Sequence, residues 1–180
     1  MNLTNPIQTI FRFIKLSISQ YTQIDLMGNN LADIFNFIQL SPTIATAGQP
    51  TESQLSSIKA AGYRLIVNLA PGTHENALPN EREIVESLGI EYIHIPVKFD
   101  RPTTEDFDRF CDVMQAARSR SMFVHCAANL RVSSFMYLYR RIYEDVTAEV
   151  AQIELAKIWS PNPIWQEFIY RTITEKLKID

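Results

Sequence analysis

The segment between residues 124 and 134 holds the side chains best suited to chemistry in this 180-residue chain. Cys126 follows a short apolar run, and Arg131 comes later, where a periodic apolar segment begins. If the run is a strand and the segment a helix, Cys126 lies beside unpaired backbone N–H groups at the positive end of the helix dipole. Such a setting stabilises a thiolate, and an arginine can hold two oxygens of an oxyanion at once. We predict that Cys126 is a nucleophile that attacks an anionic group.

The residues from Cys126 to Arg131 form what we call the nucleophile loop, residues 126–131. We expect its backbone to make an anion-binding nest at the start of the helix. The residues expected to contribute to this anion site are Ala127, Ala128, Asn129, Leu130 and Arg131. Buried cysteines are common and usually act as small hydrophobic side chains. The prediction therefore depends on the strand before the loop and the helix after it.

Hydrophobic periodicity predicts that strands and helices alternate along the rest of the chain. Strands are expected at residues 35–40, 43–47, 65–69, 92–97 and 122–125. Capping residues indicate helix starts at Thr51, Asn80, and Thr103 or Thr104, and further helices are expected near residues 131–144, 147–158 and 162–178. Because the connections are short, we predict an α/β domain with a mostly parallel central sheet flanked by helices. Ligands of such sheets bind beyond the carboxyl ends of the strands.

The composition argues against several classes of function. Hydrophobic residues make up 46% of the chain and charged residues 21%, the balance of an ordinary globular protein. The net charge of −3 comes without a basic run, so we expect no nucleic-acid partner. Two cysteines without a C-x-x-C pair predict neither a disulfide scaffold nor a structural zinc site. We expect the chemistry to need no metal and no cofactor.

The organisation of the chain is expected to be simple. Residues 1–32 are predicted to form an N-terminal arm with a helix from about residue 6 to residue 19, and residues 33–180 a single α/β domain. No run approaches the ~20 apolar residues that span a bilayer, and no secretory signal is visible. We therefore expect a cytoplasmic protein whose Cys126 stays reduced. The sequence leaves the oligomeric state open.

The sequence around Cys126 resembles the signature of cysteine-dependent protein tyrosine and dual-specificity phosphatases, in which His-Cys is followed by five residues, Arg, and Ser or Thr. It is more similar to a bacterial branch with a shortened loop, the DUF442 or beta-lactamase-hydrolase-like phosphatases. Their pattern reads roughly HCASGNRV, and residues 125–132 here read HCAANLRV. Segments 46–51, 67–69 and 92–97 also resemble that family, and the resemblance covers about residues 34–144. It implies a cysteine-phosphatase-like fold that hydrolyses phosphoproteins or small phosphate monoesters through a cysteinyl-phosphate intermediate.

The resemblance also implies roles for individual residues. His125 would support the loop by hydrogen bonding and tune the thiol of Cys126. Phosphate ester cleavage needs an acid for the leaving oxygen, and the best candidate is Asp100, with Asp106 and Asp108 as alternatives. Either Ser133 or Ser134 would donate to the leaving thiolate in the second step.

The nucleophile loop departs from the phosphatase pattern in two ways. It holds only four residues between Cys126 and Arg131, the same length as in rhodanese-type sulfurtransferases, so a Cys126 persulfide is an alternative. Asn129 stands where the pattern has glycine, and asparagine tolerates a left-handed backbone better than most residues. A phosphate-binding module with weak catalysis is a third hypothesis. Cys111, the other cysteine, is expected to be a core residue.

Overall fold

The computed structural model describes residues 30–178. The helix predicted near residues 6–19 lies outside the described residues, so it stays a prediction. A 3-10 turn, Leu31–Asp33, precedes five strands: β1 (Ile38–Ser41), β2 (Ile44–Ala47), β3 (Leu65–Asn68), β4 (Glu91–His94) and β5 (Met122–His125). The helices within these described residues are α1 (Glu52–Ala60), α2 (Glu81–Ser87), α3 (Thr104–Ala116), α4 (Leu130–Tyr143), α5 (Ala148–Ile158) and α6 (Pro163–Leu177).

The strands form one sheet in the order β1-β2-β5-β3-β4. Strands β2, β5, β3 and β4 run parallel, and β1 is an antiparallel edge strand on β2. His125 pairs with Ala47 on one side and Asn68 on the other, so three strands end at the same level just before Cys126. The predicted α/β fold with a mostly parallel sheet is confirmed. The nucleophile loop leaves the carboxyl end of the central strand, where parallel sheets bind ligands.

Helices cover both faces of the sheet. One face packs against α3, α4 and α6 through buried aromatic rings, and Phe135 lies 5.4 Å from Phe107 and 5.9 Å from Trp165 between ring centroids. The other face packs against α1 and α2 around Phe123. Because successive strand residues point to opposite faces, His125 and Cys126 face different layers. Burial of each such aromatic ring stabilises the fold by about 1.5–3 kcal/mol.

Two of the predicted helix caps are confirmed. Thr51 accepts from the N–H of Gln54 at 3.3 Å, while the Gln54 side chain accepts from the N–H of Thr51 at 2.9 Å. Thr103 accepts from the N–H of Asp106 at 3.1 Å and begins α3. Helix α2 also begins directly after Asn80, as predicted, but the Asn80 side chain makes no capping hydrogen bond to it.

The first strand begins later than predicted. Asn36 has a left-handed backbone, with φ at 52°, and the N–H of Phe37 closes a turn onto the carbonyl of Ile34 at 3.1 Å. The alternation of residues 35–40 therefore marks a turn followed by a short edge strand. Among residues 30–178, no helix is long and apolar enough to cross a bilayer.

Gly48 allows two stretches of backbone to approach each other beneath the nucleophile loop. Its N–H donates to the carbonyl of Phe35 at 2.6 Å. A Cβ atom at this position would lie 2.9 Å from Cδ1 of Phe35 and 3.0 Å from the carbonyl oxygen of Ala127. Glycine is therefore required here by space, since both neighbours are held by their own hydrogen bonds or packing.

We expect Gly48→Ala to lower the free energy of unfolding by about 1–3 kcal/mol, the usual cost of overpacking, as measured by urea denaturation. Gly72→Ala is the matched control, because nothing lies within 4 Å of the added Cβ. Its expected change is within about 0.5 kcal/mol. Equal unfolding midpoints for both variants would show that the close approach at Gly48 is not restrictive.

Candidate active site

Cys126 lies at the end of β5, where strand gives way to loop. Its side chain is buried, and its N–H donates to the carbonyl of Ala47 at 3.3 Å, which ties the loop to β2. Helix α4 begins at Leu130, so Arg131 lies in its first turn. The predicted order of strand, short loop and helix is what the structure has. The sulfur of Cys126 is therefore next to the amino end of a 14-residue helix.

The carbonyl groups of the nucleophile loop are bound on the side facing β2. The carbonyl of Ala127 accepts from the N–H of Gln49 at 3.2 Å, and that of Ala128 accepts from Nδ2 of Asn36 at 3.0 Å. A trans peptide bond places C=O and the next N–H on opposite sides. The N–H of Ala128 therefore points away from β2.

Asn129 fixes the turn into α4. Its backbone is left-handed, with φ at 64° and ψ at 3°, as expected for the position where the phosphatase pattern has glycine. Its Nδ2 donates to the carbonyl of Asn36 at 2.8 Å and to Oγ1 of Thr46 at 3.0 Å. The side chain consequently makes no capping bond to α4. The first amides of this helix stay available for a ligand.

Asn36 and Asn129 thus hold the loop from both sides. Asn36 donates to the carbonyl of Ala128, and Asn129 donates to the carbonyl of Asn36. Sequence reasoning missed Asn36. No motif joins two residues 93 positions apart, and only the folded edge of the sheet brings them together.

Arg131 packs on an aromatic platform, which we define as Phe99, Trp159 and Trp165. Its guanidinium lies 5.2 Å from the ring centroid of Phe99. That ring lies 5.8 Å from each tryptophan ring, and Nε1 of Trp165 donates to the carbonyl of Phe99 at 2.9 Å. Nε of Arg131 is buried and has no acceptor among residues 30–178. A buried cationic donor without an acceptor is costly, so an oxyanion is the natural partner for it.

The three candidate acids differ in their surroundings. Asp100 directly follows Phe99, is exposed, and forms no ion pair among the described residues. Asp106 pairs with Arg109, and Asp108 pairs with Nζ of Lys176 at 2.6 Å. Asp100 is therefore the candidate whose carboxyl makes no ion pair among the described residues, and its role as the acid stays a prediction.

The candidate hydroxyl groups are engaged within α4. Oγ of Ser133 donates to the carbonyl of Leu130 at 3.1 Å, and Oγ of Ser134 donates to the same carbonyl at 3.0 Å. Donation to the sulfur of Cys126 requires that one of these bonds be exchanged. The assisting role of Ser133 stays a prediction.

Glu81 is a buried carboxylate next to His125 that sequence reasoning missed. Its Oε1 accepts from Nε2 of Gln49 at 2.5 Å and lies 3.3 Å from Nε2 of His125. Its Oε2 accepts from Nδ2 of Asn68 and from the hydroxyl of Tyr92, both at 2.7 Å. Burial by itself raises the pKa of Glu81, but the charge of His125 and these hydrogen bonds hold it below its ordinary value. These contacts favour the ionised form of Glu81 next to His125.

The surroundings of His74 and Cys111 favour the neutral form of each side chain. Nδ1 of His74 accepts from the N–H of Asn76 at 3.2 Å, so Nε2 carries the proton and faces Oε1 of Gln49 at 3.2 Å. Burial and the charge of His125 lower the pKa of His74 to about 4. Burial raises the pKa of Cys111 to about 12, which fits its predicted place in the core.

The fold and the loop together define a cysteine-phosphatase-like protein. A model of the family described as DSP-PTPase phosphatase fused to NAD+ kinase matches residues 18–167. The chain belongs to this family. The predicted resemblance to protein tyrosine phosphatase-like and DUF442 proteins is confirmed. The match begins within residues 1–32, and the boundary predicted there stays untested.

Known proteins and structures agree with this assignment. A proposed phosphatase (DUF442) from Shewanella putrefaciens CN-32 is 29% identical, with a TM-score of 0.73 over 81% of this chain and 96% of that one. TpbA of P. aeruginosa shares the fold at 16% identity, with a TM-score of 0.65 over 80% of this chain and 90% of that one. A beta-lactamase hydrolase-like protein of Agrobacterium fabrum is 27% identical over 104 residues, 56% of this chain. The chain spans about a quarter of the length of the curated relatives it matches.

The platform under Arg131 yields a prediction about anion binding. A cation–π contact contributes about 0.5–2 kcal/mol, so Phe99→Leu should weaken binding of orthovanadate about 2- to 30-fold, as measured by isothermal titration calorimetry. Phe99→Tyr keeps the ring and should bind vanadate like the wild type. Tight vanadate binding by the leucine variant would mean that the ring does not hold Arg131 in place.

Proposed function

We propose that this protein hydrolyses phosphate monoesters through a covalent cysteinyl-phosphate intermediate on Cys126. The observation that carries the proposal is a set of donors at the start of α4 that lacks a protein acceptor among residues 30–178. It comprises the uncapped first amides of α4 and the buried Nε of Arg131, which has no acceptor among the described residues. Such donors suit the equatorial oxygens of a phosphoryl group, whose charge is greatest in the transition state.

In the first step, the thiolate of Cys126 attacks phosphorus and the bond from phosphorus to the ester oxygen breaks. Arg131 and the loop amides hold the three remaining oxygens while negative charge develops on them. The leaving alkoxide or phenoxide takes a proton from the carboxylic acid of Asp100. The products of this step are the free alcohol or phenol and cysteinyl phosphate.

In the second step, water attacks phosphorus and the bond from phosphorus to sulfur breaks. The carboxylate of Asp100 accepts a proton from the attacking water, which returns the acid to its starting form. The thiolate leaves, and we expect Ser133 to donate to it after exchanging its present bond to the carbonyl of Leu130. Inorganic phosphate is released, and no metal or organic cofactor takes part in these steps.

Phosphorylated proteins and small phosphoesters both remain candidate substrates. Loops 71–79 and 99–104 follow β3 and β4 at the carboxyl edge of the sheet and would border the entrance. The family to which the chain belongs favours phosphoryl transfer over sulfur transfer, because the sulfurtransferase hypothesis rests on loop length alone.

The direct test is turnover of p-nitrophenyl phosphate by wild type and Cys126→Ser. We expect the serine variant to lose at least about 10³-fold in kcat, because an alcohol is a far weaker nucleophile than a thiolate. Vanadate should inhibit the wild type. Equal turnover by both proteins would contradict the proposal. A persulfide mass shift on Cys126 after thiosulfate treatment, without phosphatase turnover, would support sulfur transfer instead.

The role of Asp100 is tested with Asp100→Asn. Loss of a general acid lowers kcat by about 10²–10⁴-fold, and we expect a larger loss with phenyl phosphate, whose leaving group needs the proton more, than with p-nitrophenyl phosphate. The basic limb of the pH dependence of kcat should also change, because the acid acts only while it is protonated. Asp108→Asn is the matched control, because its ion pair with Lys176 ties it to α6. If the Asp108 variant carries the loss, the acid is misassigned.

A further inference from the structure

The ring of His125 is buried among titratable groups from several elements. Glu81 faces it from α2, His94 from β4, and His74 from the loop after β3. His94 is occupied, because its Nε2 lies 2.6 Å from the carbonyl oxygen of Ala70. Nε2 of His125 is 3.3 Å from Oε1 of Glu81, close enough for an ion pair but not aligned as a hydrogen bond.

The carboxylate of Glu81 has no permanent counter-ion. Its hydrogen bonds come from the neutral groups of Gln49, Asn68 and Tyr92. The nearby guanidinium of Arg82 lies on the Tyr92 ring, 5.0 Å from its centroid. Within residues 30–178, the only basic side chain in ion-pair contact with Glu81 is therefore His125. Buried charges are paired in stable proteins.

The position of His125 relative to the nucleophile is fixed by the strand. His125 and Cys126 are consecutive, and their side chains face opposite sides of the sheet. The imidazole can therefore influence the sulfur only through the backbone of Cys126 or through the charge of the ring. A thiolate at Cys126 and a carboxylate at Glu81 place two buried anions on either side of one imidazole. A proton on that ring reduces the repulsion between them.

We propose that Glu81 is a positioning residue that keeps a proton on Nε2 of His125 and, through this ring, stabilises the thiolate of Cys126. The inference rests on the proposed use of Cys126 as a nucleophile. Burial is the largest effect and lowers the pKa of His125 below its ordinary value, and the carboxylate of Glu81 is the strongest of the groups that oppose this lowering. Removing Glu81 therefore has two effects of opposite sign on the thiolate: loss of support for the imidazolium disfavours it, and loss of direct repulsion favours it.

The first experiment needs no variant. In an ¹⁵N correlation spectrum of the wild type recorded between pH 6 and pH 8, both ring nitrogens of His125 should carry protons, as they do in an imidazolium. A ring with only one protonated nitrogen across the range would overturn the inference. This measurement holds even if substitutions at position 81 prevent folding.

The second experiment measures the rate of Cys126 alkylation by iodoacetamide against pH. Cys111 is buried with a raised pKa and is followed separately by mass spectrometry. We expect Glu81→Gln to slow alkylation at pH 6 about threefold to tenfold and to move the pH midpoint upward. Tyr92→Phe removes one donor to the same carboxylate but keeps the charge, and should change the rate less than about twofold. Faster or unchanged alkylation in a folded Glu81→Gln protein would overturn the inference.

A double-mutant cycle tests whether the effect passes through His125. In a His125→Asn background, Glu81→Gln should cause no further slowing of alkylation. Equal slowing with and without the imidazole would mean that Glu81 acts on the loop by another route. The alkylation measurements do not require turnover. If the phosphatase proposal is wrong, p-nitrophenyl phosphate is not hydrolysed but Glu81→Gln still slows alkylation. Failure of this inference appears as intact hydrolysis without the shift.

Discussion

The nucleophile loop must keep its donors free while the rest of its backbone stays satisfied. Buried backbone N–H and C=O groups are almost always hydrogen-bonded. The amides of this loop can therefore stay free only if its carbonyl groups and side chains are bound by other parts of the protein. Here the carbonyls of Ala127 and Ala128 are bound by Gln49 and Asn36, and the Asn129 side chain is bound outside the helix it begins. The preorganised site depends on these few contacts. The early segment of the chain, from residue 36 to residue 49, is thus a structural part of the site.

The charges of the site are arranged in layers. The guanidinium of Arg131 lies over the ring of Phe99, and its buried Nε has no acceptor among residues 30–178. The proposed anion would be bound on this side. The carboxylate of Glu81 is on the opposite face of the sheet, with His125 between it and the backbone of Cys126. No ion pair joins Glu81 and Arg131 among residues 30–178. A direct ion pair between them would fill the anion site with a protein carboxylate.

The C-terminal helices support the loop that carries the candidate acid. Trp165 on α6 donates to the carbonyl of Phe99, and its ring packs on Phe135 of α4. Asp100, Arg131 and the hydrophobic core are therefore mechanically connected through one aromatic residue. This connection explains why a segment as far along the chain as residues 159–165 matters for a site centred on residue 126.

The sequence by itself determined the α/β class, the order of elements and the nucleophile loop. These features depend on local signals: apolar runs, the capping box of Thr51, and the adjacency of Cys126 and Arg131 to a strand end and a helix start. The left-handed backbone of Asn129 was also predictable, because it is an intrinsic tolerance of asparagine. The tertiary structure alone decided that Asn36 clamps the loop, that Glu81 faces His125, and that Phe99 lies under Arg131. These contacts join distant parts of the chain, and only the order of the strands and the packing of helices on each face determine which side chains meet.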